Sequence, residues 1–332
     1  MNFISKLKKK EKYQKVYYII LAVVYLVLFS VGILITFRFI DISKNQKEGS
    51  RLIGASYMTM NNEFYRIIHE QVRVRVEAEG DRVILRDSGM DVQRQKEQIR
   101  EMMKMGIEAL ILTPVDPDGL VDVLIEARAK GIFVIVVDSN VSTENLINCT
   151  IVSDNYNAGC LDGEYMLKTQ KEGKIVVMAH NSAVSGRQRV AGFLNTVSKN
   201  PEYTLESQLD CNGQYEKALS QMREYLNEGH EFDTVFCLND PTAEGVVAAL
   251  KEKGLAGNVN IYGVDASPDA KALISAGMMK ASVVQFPTKI GETAADVLYN
   301  LIAGNKIEKN ITVPVDIVTQ DNINQYEKDR WQ

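Results

Sequence analysis

The chain has 332 residues, 45% of them hydrophobic and 24% charged, an ordinary globular composition with room for two domains. Its formal net charge is −5, but residues 1–15 hold six lysines and one glutamate, so the rest of the chain carries −10. A body that acidic has no electrostatic footprint for nucleic acid, which excludes that class of partner.

Residues 1–15 read as a basic cytoplasmic segment. The 22 residues that follow, "VYYIILAVVYLVLFSVGILITF" (16–37), contain no charge. As a helix they would extend about 33 Å, enough to cross a hydrocarbon core. Lysines before the run and the lone Arg38 after it place the N-terminus inside and the rest of the chain outside the cell. A cleaved signal peptide would have a shorter apolar core and a small-x-small site behind it, and neither is present. No cysteine stands at the end of the run to take a lipid. The expectation is a single-pass anchor over 16–38 and a polar tether over 39–50.

From Arg51 short apolar runs alternate with amphipathic segments. The runs fall at 52–57, 82–86, 109–113, 132–137 and 149–153, then at 174–179, 203–209, 234–238, 260–264 and 280–285. Helical patterns such as 62–79, 91–105, 117–130 and 243–253 lie between them. Continuous apolar strands alternating with helices predict parallel sheets covered on both faces. The two series are of similar size, so the fold class is α/β, with two doubly wound parallel-sheet lobes. A late helix, 288–303, and a late extended segment, 311–318, imply that the chain returns to the first lobe and crosses back. The lobes are therefore expected at 51–153 plus 286–314 and at 154–285 plus 315–332, joined by a three-crossing hinge.

Ligands of open parallel sheets bind beyond the carboxyl ends of the strands. The residues there are polar in strand after strand: Asn62, Phe64 and Tyr65 behind the first, Thr113 behind the third, Asp138 and Ser139 behind the fourth. In the second series Arg189, Asn239, Asp265 and Gln285 hold the same place, and His180 follows its first strand. Asn62, Asp154, Asp240 and Ser267 also suit helix caps and turns. Asp138 and Asp265 are different, because each follows a hydrophobic strand directly. A buried unpaired carboxylate is expensive, so a partner has to offset it. Acids, amides, one arginine and paired aromatics together suit a polyhydroxylated ring. Carboxylates accept from adjacent hydroxyls, guanidinium donates to oxygen, and an aromatic face packs on C–H groups.

The motifs "MNNEFY" (60–65), "LILTPVDPDGL" (110–120), "IVVDS" (135–139), "IVSDNYNAG" (151–159), "SGRQRVAGF" (185–193), "VFCLNDPTAEGVVAAL" (235–250), "IYGVDASPDA" (261–270) and "VVQFPTKIGETAAD" (283–296) occur in this order. With them, residues 51–320 resemble the ribose/galactose-type periplasmic sugar-binding proteins, the type I solute-binding proteins of ABC importers. The resemblance implies sugar contacts at Asn62, Phe64, Tyr65, Asp138, Arg189, Asn239, Asp265 and Gln285. It implies hinge crossings near 153–154, 285–286 and 313–315. Thr113 stands where ribose binders have an asparagine, and Ser139 where they have an arginine, so the resemblance does not carry ribose itself across.

An enzyme finds little support, since no nucleophile motif or phosphate-cradling glycine loop accompanies the acids. No cofactor is implied. "DCNGQ" (210–214) alternates oxygen ligands but lacks the glycine and glutamate of a calcium loop. Cys149, Cys160, Cys211 and Cys237 show no metal or redox spacing. Sugar-responsive repressors need a helix-turn-helix where this chain has its apolar run. Two outputs stay open: delivery of a small sugar or polyol to an ABC permease, or signalling of occupancy to a sensor kinase or receptor in the membrane.

Overall fold

Strands that are buried on both faces need helices above and below them, and this sets the architecture. The computed structural model describes residues 50–332, together with Tyr25 and residues 28–32, which are helical. Most of the expected anchor, 16–38, lies outside the described residues, as does the tether up to residue 49. Among the described residues no helix is long and apolar enough to cross a membrane.

Arg51–Gln332 forms one unit that holds two six-stranded sheets. The first contains β1 (Leu52–Tyr57), β2 (Arg82–Asp87), β3 (Ala109–Leu112), β4 (Phe133–Val137), β5 (Cys149–Ser153) and β11 (Asn310–Val313), in the order β11-β5-β4-β3-β1-β2. The second contains β6 (Gly173–Ala179), β7 (Tyr203–Asp210), β8 (Thr234–Cys237), β9 (Asn260–Asp265), β10 (Ala281–Val284) and β12 (Asp316–Thr319), in the order β12-β10-β9-β8-β6-β7. β12 pairs antiparallel with β10, and every other pair is parallel. The order reverses at β1 in one sheet and at β6 in the other, which opens a crevice at the carboxyl end of each.

The helices are α1 (Glu63–Ala78), α2 (Val92–Lys104), α3 (Val121–Ala129), α4 (Asn155–Thr169), α5 (Val184–Val197), α6 (Tyr215–Asn227), α7 (Asp240–Glu252), α8 (Pro268–Ser275) and α9 (Pro287–Ile302). α3 starts four residues later than the pattern predicts. The Asp116 carboxylate accepts from the amides of Asp118 and Gly119 and holds that stretch as a turn. Asn62, Asp154 and Ser267 do cap helices, accepting from the amides of Phe64, Asn157 and Ala270. Asp240 does not cap. It sits in the first turn of α7, where Asn239 is the cap, and it accepts from the Ser282 hydroxyl at 2.6 Å and the Ser267 amide at 2.7 Å.

The chain passes between the sheets at three places: between Ser153 and Asn155, between Val284 and Pro287, and between Val313 and Asp316. After the second passage α9 returns to the first sheet, where Ile290, Ala294 and Leu298 join Ile68 and Val72 of α1 in one core. Each sheet thus has apolar cores of its own.

Candidate functional site

The site is built at the ends of β4 and β9. Asp138 follows β4 directly with φ of +70°, and Asp265 closes β9 with φ of +129°. Asp138 lies at the edge of the left-handed region that aspartate tolerates, whereas the φ of Asp265 lies well beyond it, where a residue other than glycine is strained. Ala266, with φ of +52°, is held there because its amide donates to the Ser282 hydroxyl at 2.9 Å. Ser282 also holds Asp240, and Asp240 holds the next amide, Ser267. This buried clasp fixes the turn that aims Asp265. Such strain needs over-determination by its surroundings and collects at binding sites.

Three polar contacts reach the two acids. The Tyr65 hydroxyl donates to Asp138 Oδ2 at 3.0 Å. Gln285 Nε2 donates to Asp265 Oδ1 at 2.6 Å. Arg189 Nη1 lies 3.7 Å from Asp265 Oδ1, an ion pair whose side chains are 4% and 3% exposed. Arg189 is held by donating from Nε to Asn155 Oδ1 at 2.8 Å and from Nη1 to the Leu238 carbonyl at 3.0 Å. Asn155 starts α4 and Arg189 rides on α5, so the crossing of these helices sets the guanidinium. That crossing is close because Gly159 and Gly192 meet the backbone of the opposite helix.

The lobes approach each other here. The Ser185 amide donates to the Ser139 hydroxyl at 3.4 Å across the gap. Between them lies an inner cavity of about 30 Å³, lined by Asn62, Phe64, Tyr65 and Asp138 from one side and Arg189, Asn239, Asp265 and Gln285 from the other. It is of water size. It shares Met58, Asn62, Tyr65, His180 and Asn239 with an outer chamber of about 470 Å³, which lies within the usual range of ligand pockets. Gln285 Oε1 is buried with no partner, and a group of that kind calls for an explanation.

Burial dominates the electrostatics. It pushes the Asp265 carboxyl up to about 6, against Arg189 and the Gln285 hydrogen bond, with the charge of Asp138 adding to the rise. Burial also raises Asp138, against Arg189 and Tyr65. It pushes the His180 imidazole down to about 4, so the ring is neutral at pH 7.

Eight of the ten residues expected from the sequence line the inner cavity. Thr113 and Ser139 are not among its lining residues. Thr113 is fully buried at the end of β3, where its amide donates to Ser56 and its carbonyl accepts from Gln95. Ser139 spends its hydroxyl on the inter-lobe contact with Ser185. Asn239 lines the cavity but is engaged as the α7 cap, accepting from Thr242 and donating to the Gly213 carbonyl at 3.1 Å. His180, expected at the end of its strand, lines the cavity, and so do Met58 and Leu238, which follow their strands directly but are apolar and so give no polar signal in the sequence. Asn155 stands near the end of β5 and so carries the strand-end signal, but its role, holding Arg189 34 positions away, has no mark in the sequence.

Comparison with known proteins bears on the fold and the family. Residues 53–306 match the model of the periplasmic binding protein domain. The ribose import binding protein of Bacillus subtilis is 27% identical over 282 residues, covering 84% of this chain and 90% of its own. An ABC transporter solute binding protein from Mycobacterium smegmatis, solved with bound glycerol, superposes with a TM-score of 0.80 at 25% identity over 86% of this chain and 100% of its own. One from Agrobacterium vitis, solved with bound D-fucose, gives 0.79 at 27% identity over 85% and 100%. With the family model spanning most of both lobes, the chain belongs to the periplasmic binding protein domain family.

Proposed function

We propose that this chain is an extracytoplasmic binding protein for a small sugar or polyol, which closes on its ligand and delivers it to an ABC-type importer. The observation that carries the reading is the meeting of Asp138 and Asp265, one from each lobe, in a single cavity with Arg189 and Gln285. The relatives described above support the ligand class. Phe64 and Tyr65, packed edge to face at 5.6 Å, offer an apolar wall for the C–H face of a ring. The inner cavity is smaller than a sugar ring, so entry requires the lobes to part about the three connecting segments. Ligand that bridges both lobes then favours the closed form by its differential affinity. The uncharged run 16–37 holds the protein at the membrane, which raises its concentration near a permease.

A thermal-shift panel of D-ribose, D-allose, D-fucose, L-arabinose, myo-inositol and xylitol on residues 51–332 tests the reading. At about 100 Kd a ligand adds about 2.7 kcal/mol, a rise of roughly 5–10 °C for a chain of this size. A flat response to every sugar and polyol at millimolar concentration sinks it.

Binding is also expected to depend on pH. A hydroxyl donates to the ionised form of Asp265, so the ligand has to displace a proton wherever the free carboxyl, with its pKa near 6, holds one. Affinity therefore falls as pH drops through 6 and is about tenfold weaker at pH 5 than at pH 7. The raised Asp138 acts in the same direction, while His180 stays neutral across that window. Calorimetry at the two pH values reads the change; equal affinity would remove Asp265 as a charged acceptor.

A further inference from the structure

The end of the chain leaves one lobe and finishes on the other. After β12 a short 3-10 turn (Ile323–Gln325) places Ile323 and Tyr326 on the core of the second lobe. Lys271 of α8 is fully buried, and its ammonium donates to the carbonyl oxygens of Glu327 and Arg330. A buried ammonium is tolerated only where such partners are present, so these bonds pin the tail to α8. Trp331 then packs on the core of the first lobe. Its ring lies 5.9 Å from that of Phe64, and its indole N–H donates to Glu63 Oε2 at 3.0 Å. Trp331 borders the outer chamber, and Phe64 lines the inner cavity. A side chain carried by the second lobe thus touches the aromatic wall of the first.

We infer that residues 320–332 form a strap across the mouth of the cleft, and that Trp331 is a specificity-determining residue that limits how far a bound ligand extends into the outer chamber. The inference rests on the sugar-binding reading of the same cavity. With the tail pinned at Lys271, the lobes part only if Trp331 leaves Phe64 and Glu63. The strap contacts therefore belong to the closed form and slow ligand release rather than capture. Because Trp331 borders the outer chamber, a substituent of the ligand that points toward the mouth meets the indole.

Trp331 is the single tryptophan of the chain, so its emission reads the strap in the unaltered full-length protein. Titration with the sugar panel is expected to shift the emission to the blue and to lower acrylamide quenching several-fold, with the same half-point as calorimetry. In Trp331→Ala, release is expected to be about tenfold faster at an unchanged on-rate. Methyl glycosides of the bound sugar, discriminated against by the parent, are then accepted about as well as the free sugar. Sugar binding with no change in Trp331 emission overturns the strap and leaves the sugar site standing. So do parent-like release and glycoside discrimination in a Trp331→Ala protein of native far-UV circular dichroism. Absence of binding heat with every sugar overturns both.

Discussion

Asp265→Asn is expected to weaken ligand binding about tenfold to a hundredfold while leaving the fold as stable at pH 7, or more so. A hydrogen bond to a charged group is worth about 1.5–3 kcal/mol, and each 1.4 kcal/mol is a factor of about ten in affinity. The stability half of the expectation follows from sign. The folded carboxyl has its pKa raised to about 6 from an ordinary value of 3.8. The folded state therefore holds its proton more tightly than the unfolded chain does. Stability falls as pH rises from about 4 to about 6, and the full cost, about 3 kcal/mol, is present at pH 7. Asparagine removes that cost, keeps the shape, and meets the same backbone constraint as the aspartate it replaces. Against this stands the loss of the ion pair with Arg189, but at 3.7 Å that contact is not a close one, and Arg189 keeps Asn155 and the Leu238 carbonyl. Thermal melts from pH 4 to pH 7 should show a smaller decline for the variant than for the parent. Calorimetry with the true ligand supplies the other half. A variant that loses stability at pH 7 and keeps its affinity would make Asp265 a structural acid.

Gly192→Ala should be the most damaging conservative change in the second lobe, with Gly159→Ala beside it. Both glycines lie inside helices, where alanine by itself gains about 1 kcal/mol. Packing opposes this. A Cβ on Gly192 would press onto the Tyr156 carbonyl oxygen and stand 3.0 Å from its carbon and 3.1 Å from the Cys160 amide nitrogen. A Cβ on Gly159 would press onto the Arg189 carbonyl oxygen and stand 2.6 Å from the Phe193 amide nitrogen. These neighbours are backbone, so no rotamer relieves the overlap and the helices have to separate. Overpacking costs about 1–3 kcal/mol where side chains can adjust, and more is expected here. A net loss of about 2 kcal/mol would lower Tm by roughly 4–8 °C. Separation of α4 and α5 would also pull Asn155 from Arg189, so affinity should fall together with stability. Denaturant unfolding and calorimetry on the same preparation check both. A higher Tm, the result helix propensity alone would give, would refute the close crossing.

The strand rhythm from Arg51 onward and the acids at strand ends were legible because they follow local rules. A parallel strand covered on both faces has to be apolar throughout. The first residue past it has to lie at the carboxyl edge, as Asp138 does, and Asp265 closes its strand at the same edge. The same rule made Thr113 and Ser139 ligand-contact candidates, and the structure leaves both at a strand end outside the cavity lining. Which edge residue faces the cavity depends on where its strand sits relative to the reversal of strand order and on how the other lobe approaches. Asn239 shows the same limit, since one amide suits both a helix cap and a ligand contact, and only the position of Gly213 and Thr242 assigns its hydrogen bonds.

The amino-acid order by itself determined the α/β class, the alternation of strand and helix, the chemistry of the acids at the strand ends, and the uncharged run near the N-terminus, each a matter of neighbours within a few residues. The tertiary structure alone decided that Asn155 steadies Arg189, that Ser282 and Asp240 clasp the turn behind Asp265, and that Trp331 meets Phe64 and Glu63, up to 268 positions away. Such contacts have no period in the chain. They arise when helices and lobes close on one another, so their partners are set by packing across space and leave no mark on the local pattern.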